Sequence, residues 1–99
     1  MAMLEISVVP VGTSSPSVSR FVAEAVRTLK DTRGVRYELT PMGTVIEGEL
    51  DALLECAKKM HLAAFGPGVK RVVTTIKLDD RSDKPLTMGE KISSVWSKL

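Results

Sequence analysis

Leu4, Ile6 and Val8 alternate with Glu5 and Ser7, which is the period-2 signature of a strand with one buried face. Pro10 cannot donate to a ladder, so it marks a frayed strand end or a bulge, and 12–15 reads as a turn. Ser15 and Pro16 suit a helix N-cap and first helical position. Val18, Phe21, Val22, Ala25, Val26 and Leu29 then fall at i, i+3, i+4, i+7, i+8 and i+11, a single apolar stripe. Arg20, Glu24, Arg27 and Lys30 take the other side, and Gly34 supplies a left-handed stop. Val35, Tyr37 and Leu39 alternate with Arg36, Glu38 and Thr40 in a second strand, and 44–49 forms a third. The short break Pro41-Met42-Gly43 makes this pair a hairpin.

Leu50, Leu53, Leu54, Ala57 and Ala64 give a second helical stripe, with Met60 and His61 at its borders, and Gly66-Pro67-Gly68 ends it. Over 69–78, Val72, Thr74, Ile76 and Leu78 alternate with Arg71, Val73, Thr75 and Lys77, the longest predicted strand. A polar loop covers 79–85. Thr87 and Glu90 then form a capping box for a third helix over 87–99. Its apolar face is Met88, Ile92, Val95, Trp96 and Leu99, so the only tryptophan is expected in packing rather than on a ligand.

The order β-α-β-β-α-β-α holds two β-α-β units joined by a hairpin. It predicts an α+β, ferredoxin-like βαββαβ sandwich, with a four-stranded antiparallel sheet and an additional C-terminal helix, as a single domain over 1–99. Right-handed crossovers place both repeat helices on one sheet face. The other face carries Glu5, Ser7, Val9, Thr40, one set from 44–49, Val73, Thr75 and Lys77. That mixture is too apolar for a wet surface and too polar for a core, so a partner sheet or a ligand is expected there.

Composition removes function classes. The 99 residues carry a net charge of +2 and only 4% aromatics, which argues against nucleic acid, an anionic membrane and base-stacking surfaces. One cysteine, Cys56, excludes an internal disulfide and a cysteine metal cage. No stretch of about 18 apolar residues is present, and no basic region precedes the first apolar run as in a signal peptide. The expectation is a cytoplasmic protein with no membrane partner, no metal and no cofactor. His61 and Cys56 share one helix and do not assemble a nucleophile–base pair, so no enzyme is expected.

Gly66-Pro67-Gly68 precedes a strand, whereas a dinucleotide-binding glycine run must follow one. In Asp79-Asp80-Arg81-Ser82-Asp83-Lys84 the two cations weaken a metal reading. The stretch reads either as a solvated loop with local ion pairs, worth little each, or, because it leaves the end of a strand, as one in which Asp79, Asp80 and Arg81 contact a neighbouring subunit or the ligand. The stretch from Thr40 to Gly48 holds more chemistry than a hairpin needs: two threonines, an adaptable methionine, and a carboxylate that needs a partner if buried.

Three segments carry a resemblance: Glu5-Ile6-Ser7-Val8-Val9-Pro10-Val11-Gly12, Thr40-Pro41-Met42-Gly43-Thr44-Val45-Ile46-Glu47-Gly48 and Ile76-Lys77-Leu78-Asp79-Asp80-Arg81. Over nearly its whole length the chain resembles the thiamine-binding protein family. The resemblance implies a ferredoxin-like fold, a homotetramer built as a dimer of dimers, and non-catalytic binding of thiamine or its hydroxymethylpyrimidine part. On that footing Ser7, Thr40, Met42, Gly43, Thr44 and Glu47 are the expected ligand contacts. Glu47 would accept from the aminopyrimidine or offset the thiazolium charge, Thr40 and Thr44 would bond ring nitrogens, and Met42 would pack on a ring face. Alternation leaves open whether Thr44 or Glu47 faces inward, because a one-residue bulge near Gly43 swaps them. The other reading is a structural or regulatory oligomer that binds another small metabolite on its open sheet face or uses that face only for assembly. Glu5, Glu47 and Lys77 would then form intersubunit ion pairs.

Overall fold

The structure, a computed structural model, describes residues 1–99. Its elements are β1 (Ala2–Val11), α1 (Ser19–Arg27), β2 (Val35–Thr40), β3 (Gly43–Gly48), α2 (Leu50–Ala63), β4 (Arg71–Asp80) and α3 (Met88–Trp96). One four-stranded sheet runs in the order β2-β3-β1-β4, and every neighbouring pair is antiparallel. This is the expected ferredoxin-like α+β arrangement with its added helix. No helix is long and apolar enough to cross a membrane.

The alternation in β1 does what its period dictates. Ala2, Leu4, Ile6 and Val8 point to the helical side and are buried, together with Ile46 of β3. Ala25 and Leu29 come down from α1 and the turn after it, and Leu53, Cys56, Ala57, Met60 and Ala64 from α2 and its end. Burying each large side chain here contributes about 1.5–3 kcal/mol. Met60 is therefore core rather than border, and Leu50 and Leu54 are exposed. The buried stripe of α2 is centred one position round from the predicted one, with Cys56 in place of Leu54.

Helix ends depart from expectation where hydroxyls bond locally. Ser15 does not cap α1. Its Oγ accepts from the Ser17 N–H at 3.2 Å, while Thr13 Oγ1 donates to the Ser15 carbonyl at 2.7 Å. This self-closed turn delays the helix to Ser19. At the other end Thr28 Oγ1 donates to the Ala25 carbonyl at 2.7 Å and Thr32 Oγ1 to the Thr28 carbonyl at 3.0 Å. The helix gives way to turns well before Gly34, which sits at φ +80° ahead of β2.

Pro10 causes no bulge. The β1–β4 register is continuous from Ala2↔Asp80 to Val11↔Arg71, and β1–β3 pairing has already stopped at Ile6↔Thr44. Pro10 therefore has no β3 ladder to break. Asp79 and Asp80 belong to β4 and not to the loop, so β4 and β1 are equally long at 10 residues.

The third helix does not pack as its stripe suggested. None of its residues is buried, and Trp96 is 69% exposed. Polar bonds hold it instead. Thr87 Oγ1 accepts from the Glu90 N–H at 3.2 Å, Glu47 Oε2 from the Met88 N–H at 2.6 Å, and Asp79 from Lys91 Nζ at 2.5 Å. Met88 and Ile92 lie over Met3 and Val45 of the open sheet face.

Candidate functional site

The hairpin is fastened by one hydroxyl. Thr40 Oγ1 donates to the Gly43 carbonyl at 2.7 Å and accepts from the N–H groups of Gly43 at 3.1 Å and Met42 at 3.3 Å. Thr40 thus closes the turn, as threonine does in side-chain-mimicked turns. Gly43 lets β1 approach closely, because a Cβ there would crowd the Ile6 carbonyl oxygen at 3.0 Å. The turn presents Met42 at its tip, almost fully exposed.

Beyond Ile6, β1 continues without β3 beside it. A cavity of about 240 Å³ fills this corner, between α1, the hairpin and the bare stretch of β1. Ser7, Thr40, Met42, Gly43 and Thr44 all line it, and Glu47 does not. The apolar wall comes from Ile6, Val8, Val22, Ala25, Leu39 and Met60, and no charged side chain takes part. The predicted residues missed this wall. Its members sit in ordinary apolar stripes, and nothing in a stripe tells which residues border a gap.

Thr44 and Glu47 occupy opposite faces of β3. Thr44 stands across from Ile6 and Leu39, on the helical side, whereas Glu47 stands across from Met3 and Arg36, on the open side. The β2–β3 register is continuous from Val35↔Gly48 to Thr40↔Gly43, so no bulge intervenes. Both side chains are shielded, Thr44 being 2% and Glu47 4% exposed. Their partners differ. Glu47 accepts from the Met88 N–H and lies 3.8 Å from Arg36 Nε. The Thr44 hydroxyl has no bond within the chain, yet no fully enclosed side-chain oxygen is left without one, so it opens to the cavity it lines. Ser7 borders the same cavity from β1, but it holds an open-face position between Ile6 and Val8, paired with Thr75 of β4.

The sheet face expected to hold the ligand is thus not where this cavity lies. The cavity is on the helical side, because α1 and α2 cover β1 while leaving the hairpin end free. On the open face Glu5 and Lys77 approach to 3.9 Å within the chain. Val9, Val11 and Val73 are exposed beside them.

Adjoining the cavity along α1 is a wider groove of about 670 Å³, lined by Val18, Val22, Val26, Arg27, Lys30, Leu39 and Pro41 among others. Asp79 and Arg81 lie away from this cavity and line a separate one between the 81–86 loop and α3, with Lys84, Glu90 and Lys91; Asp80 does not line it. Asp79 holds Lys91 of α3, Asp80 ends β4, and Arg81 bonds Asp83 through Nε and Nη2 at 2.8 and 2.5 Å. That bond holds the Asp83 carboxyl below its usual range and the guanidinium above its own. His61 Nδ1 lies 2.6 Å from Thr74 Oγ1, and its ring meets Phe65 edge-on at 5.4 Å. Burial pushes the Cys56 thiol up, the reverse of what an attacking thiolate needs. Neither phenylalanine lines the cavity; Phe21 lies under Arg20, 5.6 Å from its guanidinium carbon. His, Cys, Asp and Glu side chains form no cluster of three or more placed to hold a metal ion.

The sequence model of the thiamine-binding protein family matches residues 4–96. The UPF0045 protein of Methanothermobacter thermautotrophicus is 45% identical over 100 residues, spanning all of both chains. The UPF0045 protein YqgV of Bacillus subtilis is 43% identical over 102 residues, covering 100% of this chain and 98% of that one. Among solved structures, protein MJ1052 of Methanocaldococcus jannaschii superposes with a TM-score of 0.87 at 35% identity, over 99% of this chain and 97% of the other.

Proposed function

The chain belongs to the thiamine-binding protein family, and we propose on that premise that it binds thiamine or its hydroxymethylpyrimidine part, without chemistry on it, in the cavity beneath the β2–β3 hairpin. The ring lies against the apolar wall, Met42 closes over it from the hairpin tip, and the Thr44 hydroxyl bonds a ring nitrogen. Thr40 and Gly43 shape the turn that delivers Met42 and Thr44. Glu47 serves α3 and holds it across the open face.

One observation carries this reading. Thr44 is a nearly buried hydroxyl on a cavity wall with no partner in the chain. Open to the cavity, the hydroxyl is free to bond water, and a ligand that bonds it takes the place of that water. The volume adds a constraint, because about 240 Å³ falls below the roughly 300 Å³ at which pockets for larger ligands begin. A single heteroaromatic ring suits it better than a two-ring ligand held whole.

The protein is further read as a homotetramer, a dimer of dimers. Val9, Val11 and Val73 on the open face and Ile92, Val95 and Trp96 on α3 are exposed in the single chain, and a second copy would cover them. Asp79, Asp80 and Arg81 stand at the margin of that surface. The same exposed valines favour the second reading, in which the open face serves assembly only and the hairpin is merely a turn. Calorimetric titration with hydroxymethylpyrimidine and with thiamine separates the two. Saturable heat with at least one of them, reduced in Thr44→Val, is the expected result. An absence of heat and of any thermal shift at millimolar ligand leaves only the assembly reading.

A further inference from the structure

The cavity and the groove along α1 share Val18, Val22, Leu39, Thr40 and Pro41, so the two adjoin, and a substituent leaving a ring in the cavity on that side is directed toward the groove. The charges along that path have one sign. The cavity has no charged side chain in its lining, and the only charged residues bordering the groove are Arg27 and Lys30. Glu24 pairs with Arg27 at 2.7 Å from outside that lining. No ion pair in the structure engages Lys30.

The spacing fits a short arm. Arg27 lies five residues beyond Val22, about 7.5 Å of helix rise, and both cations have long flexible stems. Arg27 ends α1 and Lys30 stands in the turn after it, where the helix itself presents partial negative charge. The attraction for an anion must therefore come from the side chains. A guanidinium grips phosphate oxygens through two parallel N–H groups, and an ammonium adds a point charge.

We propose that the groove is an anion subsite and that the preferred ligand is a pyrimidine whose hydroxymethyl arm carries a phosphate ester, with Arg27 and Lys30 on the phosphate. This rests on the ring position proposed above and adds what the rest of the ligand must be. It also reverses a preference, because the cationic thiazolium of thiamine would be directed toward a groove bordered by two cations and no acceptor carboxylate.

The test is calorimetric titration of the full chain with hydroxymethylpyrimidine, its phosphate monoester, thiamine and inorganic phosphate, at low and at physiological salt. The monoester is expected to bind about tenfold tighter than the free alcohol at low salt, an exposed-pair effect. The gap should narrow as salt rises, and thiamine should bind more weakly than either. In the double variant Arg27→Ala, Lys30→Ala, whose altered side chains are surface-exposed, the monoester should bind no more tightly than the alcohol. Thermal melting checks that this variant is folded. If the alcohol binds and the monoester gains nothing, or if its advantage survives in the double variant, the anion subsite is overturned while the ring position stands. If neither pyrimidine binds at millimolar concentration, both are overturned.

Discussion

The two ends of β3 present the same problem with opposite outcomes. Thr44 and Glu47 are polar, nearly inaccessible and on one six-residue strand. At the Glu47 end the structure answers the buried group from within, with the first free amide of α3 and a nearby arginine. At the Thr44 end it supplies nothing, and the hydroxyl faces a cavity. The difference teaches which buried polar group to read as architecture and which as a binding feature. A carboxylate attracts attention through its charge, but here its valences are occupied; the quieter hydroxyl is the one still available.

Four experiments press on this contrast. The largest effect is expected at Ile46, which lies between the two ends and is fully buried on the helical side. Ile46→Ala should lower stability by about 2–5 kcal/mol, read from the urea midpoint, and should damage both ends together. Glu47→Ala should come next, at about 1.5–3 kcal/mol, since it removes a charged acceptor and strands the Met88 amide. Hydrogen exchange should quicken along α3 while pyrimidine affinity stays within about twofold, a difference of under half a kcal/mol. A large affinity loss without unfolding would show that the two ends are coupled. Thr44→Val should do the reverse, changing stability by less than about 1 kcal/mol and weakening pyrimidine binding about tenfold in titration.

The smallest effect concerns Cys56, a third buried polar group on the same core. Its thiol is raised from an ordinary value of 9.0 by burial, against a lowering by Lys59. The folded state therefore favours the neutral thiol. Its contribution is fully present below about pH 9 and is lost as pH rises from there through the folded value. Melting curves at alkaline pH should show a decline that Cys56→Ala removes.

Much of the fold was legible because side-chain period follows backbone geometry. The alternation at Leu4, Ile6 and Val8 and the hairpin at Pro41-Met42-Gly43 each appear where the pattern places them. The end of α1 was not legible, because Thr28 and Thr32 bond nearby carbonyls in competition with the helix. The stripe of α3 was visible but its use was not, since amphipathicity shows an apolar face without naming what covers it. The role of Glu47 was hidden for a different reason. Its partner amide is 41 residues away, and no local pattern reports a contact that only the folded topology makes. The cavity was half visible: the hairpin contributors stood out by composition, while Val22 and Met60 resembled any other core residue.

The position of β1 has a consequence in time. The strand is first in sequence and yet stands inside the sheet, between β3 and β4, with Ala2 opposite both Gly48 and Asp80. During synthesis its apolar face waits for α1 and α2, and its β4-side edge waits until nearly the whole domain has been made. Such non-local pairing folds over about milliseconds to seconds, slower than helical bundles of similar size. Until then the β4-side edge of the opening strand is unpaired, the form in which chains recruit one another. The protein's exposure to misassembly is therefore concentrated before β4 arrives, and a chain cut short of Arg71 would keep that hazard permanently.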